Sequence, residues 1–452
     1  MLLCAQHILP ITANPIQNGA ILVRDGEIRD IGEREMLQLR YPKEEVKDFG
    51  LAALMPGLVD LHTHLESTVM RGIVHDVPYP TWLMLYVEKS GRLSNADCYD
   101  SALFGGLEAL SAGITCVADI ASTNAVHRAT RKLGLRSVIY REVGAMDKRR
   151  VNHAMKQATT DIARWQDESA SPLITIGISP SALYACHPAI LGRVAEFAQK
   201  NGNMPVAMHL AGSAEEYNFV KYGSSVLSVH KMDNRRGFVE VPPWLPTGTT
   251  PIRYALNWGA FETEKVMAVH CVHIDDEDIE KLKEYDVSVA LCPRCNAQLG
   301  MGVAPMNELL RAKLRMGLGT DSPVAVDSTD MLFEMRIGML VQRAVNVGQF
   351  LDCATMLEMA TIGGARALHL EEKIGSLEIG KRADLIAVDL SGSHQKPMTD
   401  PVSAVVNTCA AADVLMNMVD GAVLYERGQW YADVEVAKNA ARVIKIREKL
   451  GK

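Results

Sequence analysis

The sequence predicts an α/β fold: a (β/α)8 TIM-like barrel with a small β-sandwich domain formed by both chain ends. Three observations predict it. Between residues 58 and 345, eight apolar, strand-like runs alternate with amphipathic segments of helix length. Both ends of the chain carry short β-like runs instead. Histidine and aspartate recur where the eight runs stop, and the C-terminal ends of barrel strands form the functional face. A doubly wound open sheet is the alternative, but it normally has fewer strands and needs a glycine-rich phosphate turn that is missing here.

Residues 1–55 read as short strands, with a hairpin signal over 20–32 around Asp25-Gly26. The eight barrel runs are 58–64, 114–120, 137–143, 173–179, 205–211, 266–272, 287–293 and 316–321. Between them, helices are expected over 95–112 (after Ser94, a good N-cap), 151–165, 188–201, 275–285 and 328–345. A helix over 354–368 follows. Residues 374–389 read as strand, turn, strand, more strand-like sequence runs through 422–425, and 434–450 is a terminal helix. The expected division is 1–55 and 369–430 for the two parts of the β-sandwich domain, 56–368 for the barrel, and 431–452 for the C-terminal helix.

Composition narrows the function. The chain has 452 residues, 48% of them hydrophobic, enough for one large core and a smaller one. Net charge is -7 with acids and bases interspersed, so neither nucleic acid nor a membrane surface is expected as a partner. No apolar stretch reaches the roughly 18 residues of a membrane span, and Met1-Leu-Leu-Cys-Ala-Gln-His7 lacks the pattern of a signal peptide. Nine scattered cysteines fit reduced thiols and a cytoplasmic protein better than a disulfide framework. The expected partner is a small-molecule substrate, with a homodimer as the assembly to test.

The strand ends supply a metal constellation. His62 and His64 are two apart, so on a strand they share a face. The fifth run ends in His209, the sixth in His270 with His273 just beyond, and the eighth in Asp321. His62, His64, His209 and Asp321 make a shell of three nitrogens and one oxygen that suits one divalent ion, zinc first, with iron or manganese as alternatives. Such an ion lowers the pKa of bound water toward neutrality. Asp321 could accept a proton from that water as well as ligate, and His270 is free to shuttle protons. The fourth run ends Ile178-Ser-Pro-Ser181 without the lysine that often bridges two metals in such barrels, so one ion is expected.

These pieces resemble the amidohydrolase superfamily, in the branch of cytosolic aminohydrolases and triazine hydrolases. The matching segments are Pro56-Gly-Leu-Val-Asp-Leu-His-Thr-His64, Ser111-Ala-Gly-Ile-Thr115, His209-Leu-Ala211, Val269-His-Cys-Val-His273, Cys292-Pro-Arg294 and Gly317-Leu-Gly-Thr-Asp-Ser322, with the tail 374–389. Within the branch, Tyr140-Arg-Glu-Val-Gly144, Ser213-Ala-Glu-Glu-Tyr217 and Asn296-Ala-Gln-Leu-Gly300 look most like aminodeoxyfutalosine deaminases. The resemblance implies a metal-dependent hydrolase attacking a ring carbon of an aminated N-heterocycle, a deaminase of a purine-like or nucleoside-like substrate. The alternatives are a hydrolase of another C–N or C–halogen bond, or a catalytically weak ligand-binding paralogue.

Two departures from the family bear on the chemistry. The family pattern after the strand-five histidine is His-x-x-Glu, whose Glu protonates a ring nitrogen; here that position is Gly212. Glu215 is the candidate replacement, with Glu216 beside it. Many relatives carry a substrate-facing His in Pro-His-x-x-Tyr, where this chain reads Pro180-Ser-Ala-Leu-Tyr184. Substrate contacts are expected at Trp82, Glu142, Tyr184, Arg294 and Ser322, and Glu66 is a candidate to support a ligand histidine. Cys292-Pro-Arg-Cys295 has zinc-knuckle spacing, but no second pair exists and it closes a barrel strand, so it reads as a substrate-side loop.

Overall fold

The computed structural model describes residues 1–168, 171–227, 246–346, 348 and 350–451. Eight strands form one parallel sheet in chain order: Leu58–Thr63, Ile114–Ala121, Arg136–Val143, Ile174–Pro180, Val206–Leu210, Val266–His270, Ser288–Leu291 and Met316–Leu318. They are called strands one to eight below. The sheet closes between its first and last members, where Thr63 pairs in parallel with Asp321 and the Asp321 N–H donates to the His62 carbonyl at 2.7 Å. All eight expected runs are barrel strands.

Alternation explains how the strands pack. Val59, Leu61, Cys116, Ala118, Val138 and Tyr140 cluster together inside the barrel. Their neighbours along the strands, among them Leu58, Val117 and Ile139, meet the surrounding helices, including Leu103, Leu107 and Leu110 of helix Asn95–Ser111. That helix starts as its sequence suggests. Ser94 accepts from the Asp97 N–H, and the Asp97 carboxylate accepts from the Ser94 N–H.

The two chain ends join in one mixed sheet of nine strands. Strand Leu2–Ile8 pairs antiparallel with Ile16–Arg24 and parallel with Val46–Asp48 and Ala52–Pro56. Ala52–Pro56 then pairs antiparallel with Leu385–Asp389, which carries the C-terminal strands Val414–Val419 and Ala422–Glu426. Leu3, Ile21, Leu54, Leu385 and Met416 form its separate core. The expected strand, turn, strand over 374–389 is corrected in its first half. Gly375 and Gly380 both lie at left-handed φ (91° and 94°), which breaks extended structure, and only Leu385–Asp389 is a strand.

Two helices matter for the site. The segment expected as one helix over 354–368 is Cys353–Glu358, a π-helical turn Met359–Gly363, then Gly364–Ala367. It lies hard against the barrel: a Cβ at Gly363 would stand 2.9 Å from the Met316 carbonyl, and one at Gly364 2.9 Å from Val59 Cβ. Helix Tyr79–Ser90, in the long excursion after strand one, was not anticipated; it places Tyr79, Trp82 and Tyr86 on one face. Among the described residues, no helix is long and apolar enough to cross a membrane.

Candidate active site

The C-terminal ends of strands one, five, six and eight bring their polar residues together. His62 Nε2 lies 3.2 Å from His209 Nε2 and 3.5 Å from Asp321 Oδ1; His64 Nε2 lies 3.9 Å from the same oxygen. His270 Nε2 lies 3.7 Å from Asp321 Oδ2. Ligands about 2.0–2.1 Å from a tetrahedral zinc ion stand about 3.4 Å apart, so these spacings suit such an ion.

Second partners select which nitrogen faces the centre. His64 Nδ1 donates to the Ile120 carbonyl at 3.1 Å, leaving Nε2 unprotonated toward the cluster. His270 Nδ1 donates to Asn296 Oδ1 at 3.0 Å, with the same result. Asp60 and Asp119 hold the backbone beneath. Asp60 accepts from the N–H of His62 and from the Thr320 N–H and hydroxyl, tying strand one to strand eight. Asp119 accepts from the Thr63 hydroxyl and the Leu65 N–H, both at 2.7 Å, and so fixes the turn bearing His64.

Electrostatics favour a cation at the centre. Burial, then the neighbouring imidazoles, push His209 well below its usual range; burial pushes His62 down to about 4 and lowers His270. Burial pushes the Asp321 carboxyl up, but its hydrogen bond with His62 and the surrounding imidazoles of His270 and His64 outweigh it and hold the group well below the carboxylate range. Neutral imidazoles thus turn lone pairs at one another beside a carboxylate. His62, His64, His209 and Asp321 could hold a divalent ion, and the donor set suits zinc.

The backbone is strained here too. Ala211, His270, Cys271 and Asp321 all have left-handed φ, between 48° and 77°, immediately at the ends of strands five, six and eight. Non-glycine residues adopt this conformation at a cost, and such residues cluster at functional sites.

A cavity of about 920 Å³ opens from the cluster. One wall is aromatic: Tyr79, Trp82 and Tyr86 stack in succession, and the Tyr79 and Tyr184 hydroxyls lie 2.5 Å apart. Glu66, Glu142, Ser322, Met301 and Cys295 also line it. Glu142 accepts from the hydroxyls of Ser122 and Ser181, so the serine at the family histidine position holds a carboxylate. Glu66 accepts from the Ser122 N–H and from the Thr123 N–H and hydroxyl. It does not touch a ligand histidine, and burial, with the charge of Glu142, raises its pKa. Among the described lining residues there is no lysine or arginine.

Most of the expected site residues are assembled, with two corrections. Trp82, Glu142, Tyr184 and Ser322 line the cavity. Ser322 also exchanges a 2.7 Å hydrogen bond with Ser67. Arg294 does not face the cavity: it is buried behind strand seven, ion-paired with Glu334 at 3.0 Å and donating to Ser328. The second correction concerns the glutamates. Glu215 is half-buried and outside the cavity, whereas Glu216 is buried, because Ser213 caps helix Ala214–Tyr222 and turns its third residue back toward strand five. The Glu216 carboxylate accepts from the Gly212 N–H at 2.9 Å. His273 instead donates from Nε2 to the Met301 carbonyl. Asp60, Asp119, Asn296 and Tyr79 were missed as site residues; the two-residue step from Asp60 to His62 was a usable signal for the first.

Comparison with known proteins agrees with this geometry. Residues 53–424 match the sequence profile of the amidohydrolase family. The chain is 29% identical over 439 residues to a 5-methylthioadenosine/S-adenosylhomocysteine deaminase of Thermodesulfovibrio yellowstonii, covering 94% of this chain and 93% of that one. It is 32% identical over 428 residues to a protein of the same name from Moorella thermoacetica, covering 93% of both. Among solved structures, an adenosine deaminase from Xanthomonas campestris with bound zinc superposes with a TM-score of 0.87 at 26% identity, over 100% of this chain and 98% of that one.

Proposed function

The chain belongs to the amidohydrolase family, and from that premise we propose that it deaminates a nucleoside-like aminated heterocycle with one divalent ion, zinc, held by His62, His64, His209 and Asp321. The observation that carries the reading is the convergence of unprotonated imidazole nitrogens and one carboxylate at the strand ends of a cavity with an aromatic wall. A divalent ion there supplies Lewis acidity and makes a water acidic enough to ionise near neutral pH. One ion is the expected number, because both ligand groupings among the described residues share His62, and strand four ends in Pro180 with no lysine near it.

The residues divide the remaining work. Asp321 takes a proton from the attacking water and returns it to the departing amino group. His270, with Nδ1 engaged by Asn296, presents Nε2 to the same water. Tyr79, Trp82 and Tyr86 offer a flat apolar wall to the ring. Glu142 and Glu66 retain acceptor positions and suit hydroxyl groups on the ring's appendage. The nine cysteines form no disulfide and eight of them are buried, which suits a reducing cytoplasm.

Gly212 favours a second reading, hydrolysis of a bond whose leaving group needs no ring-protonating acid. One experiment separates the two: ammonia release over a panel of aminopurine nucleosides, aminopterins, cytosine and amino- and chlorotriazines. The first reading expects turnover of an aminopurine nucleoside. Release of halide alone, with no ammonia from any amine, would select the second.

A further inference from the structure

Tyr79 and Tyr184 both line the cavity that opens from the ion cluster, and their hydroxyls lie 2.5 Å apart. They come from separate loops. Tyr79 begins helix Tyr79–Ser90, in the excursion after strand one, and Tyr184 follows the end of strand four. Pro78 and Pro80 flank Tyr79 and stiffen the chain on either side. The Tyr79 N–H donates to the Leu299 carbonyl at 3.0 Å. Leu299 closes the short helix Pro293–Gln298, the same helix whose Asn296 holds His270. The phenol is thus tied through one short helix to an imidazole of the ion cluster.

A phenol both donates and accepts, so the bond between the two hydroxyls uses one of their two protons. When Tyr184 donates and Tyr79 accepts, the Tyr79 O–H is the donor left over, and the bond it accepts makes it a stronger one. It keeps that proton at any working pH. Burial, then the neighbouring phenol and the charges of Glu216 and Asp321, raise the Tyr79 pKa well above its usual value. The influence of Asp321 also puts the phenol within electrostatic reach of the ion cluster. Glu66 and Glu142 line the same cavity and, as carboxylates, accept. A ligand therefore meets acceptors at those two residues and a donor at Tyr79. On a nucleoside-like molecule, hydroxyl groups suit the carboxylates and unprotonated ring nitrogens suit the phenol.

We infer that Tyr79 donates a hydrogen bond to an unprotonated ring nitrogen of the bound heterocycle, with Tyr184 as the positioning residue that directs its proton. The inference rests on the deaminase reading and deepens it, by naming a donor for the ring that the wall of Tyr79, Trp82 and Tyr86 receives. The contact is a hydrogen bond only, and no proton is transferred through it. It selects a ring with an acceptor over the same ring with C–H at that place, because the second would leave the phenol without a partner.

The test uses the full-length, zinc-loaded protein, the variants Tyr79→Phe and Tyr184→Phe, and the double variant. The probes are adenosine and its 1-, 3- and 7-deaza analogues, each with C–H in place of one ring nitrogen. Phenylalanine keeps the aromatic wall and removes only the oxygen. Affinity is read as KM for a probe that releases ammonia and as an inhibition constant for one that does not. Wild type should prefer adenosine to one of the analogues by at least about fivefold, the scale of one net hydrogen bond. Tyr79→Phe should bring that preference within about twofold, with its preference over the other two analogues as in wild type. Tyr184→Phe should reduce the same preference, and the double variant should match Tyr79→Phe, because Tyr184 acts through Tyr79. Equal weakening of all four probes would mean that the phenols only hold two loops together, and it overturns the inference. Wild-type indifference to all three replacements, or an unchanged preference in Tyr79→Phe, overturns it too. If wild type releases no ammonia from any probe, the deaminase reading fails, and calorimetric dissociation constants for the four probes decide on Tyr79 by the same comparison. Failure of all four to bind overturns both.

Discussion

The backbone N–H of Asp321 donates to the carbonyl of His62 at 2.7 Å, so the seam that closes the barrel also sets two of the proposed ion ligands side by side. The contact is main chain to main chain and survives any change in the Asp321 side chain. The residue's φ of 69° does not: alanine tolerates the left-handed region poorly, asparagine well. Asp321→Asn should therefore keep the melting temperature within a few degrees while lowering kcat by roughly 100-fold or more. Activity near wild type in this variant, by steady-state ammonia release, would show that the carboxylate handles no proton.

Elemental analysis of purified protein should find one zinc per chain. His209→Ala removes one of the three nitrogens and should lower zinc retention after dialysis at least tenfold, on the scale of losing a single ligand contact. Two tightly held ions in the wild type would refute the mononuclear centre.

Asp119 supports the site from beneath. Its carboxylate serves the Thr63 hydroxyl and the Leu65 N–H, both buried. Asp119→Ala leaves the Leu65 N–H without its acceptor and the Thr63 hydroxyl with only a long contact to the Ala118 carbonyl at 3.5 Å, at about 1–3 kcal/mol for a buried donor left unsatisfied. Denaturant unfolding should register a loss of that order, and zinc affinity should weaken because the turn carrying His64 loosens. An unchanged midpoint would mean that water replaces the carboxylate at no cost.

Glu216 also predicts a pH dependence of stability. Burial pushes its pKa up to about 7, against the partial offset of hydrogen bonds from the Gly212 and Ala211 N–H groups. Between the ordinary glutamate value and about 7, the folded chain keeps a proton that the unfolded chain has released. Stability therefore falls as pH rises through that window, by about 1.4 kcal/mol per unit at most. Glu216→Gln removes this contribution, so the variant should gain on wild type between pH 5 and pH 7.5, read by denaturant unfolding at both values. Parallel curves would place the Glu216 pKa near its ordinary value.

What the sequence revealed, and what it concealed, follows from the range of the forces involved. Strand runs and strand-end histidines are local patterns: His62 and His64 share a face because side chains alternate, and His209, His270 and Asp321 each end an apolar run. Arg294 was misread because its partner, Glu334, lies on helix Met331–Val345, forty residues on, and no local pattern announces that pairing. The choice between Glu215 and Glu216 turned on helix phase, which the Ser213 cap sets to within one residue. Helix Tyr79–Ser90 follows Pro78 and includes Pro80, so its start is masked by residues that usually signal turns. The strand expected in the first half of 374–389 is prevented by two glycines whose left-handed φ only the fold reveals.

The central claim is that an ion held by strand-end side chains drives deamination, and the most direct measurement is ammonia release from an aminopurine nucleoside by chelator-stripped protein before and after zinc is restored. The account predicts a stripped rate at least about 100-fold below the restored rate, with full recovery at one equivalent of zinc per chain. Stripped protein that releases ammonia at the restored rate would contradict it.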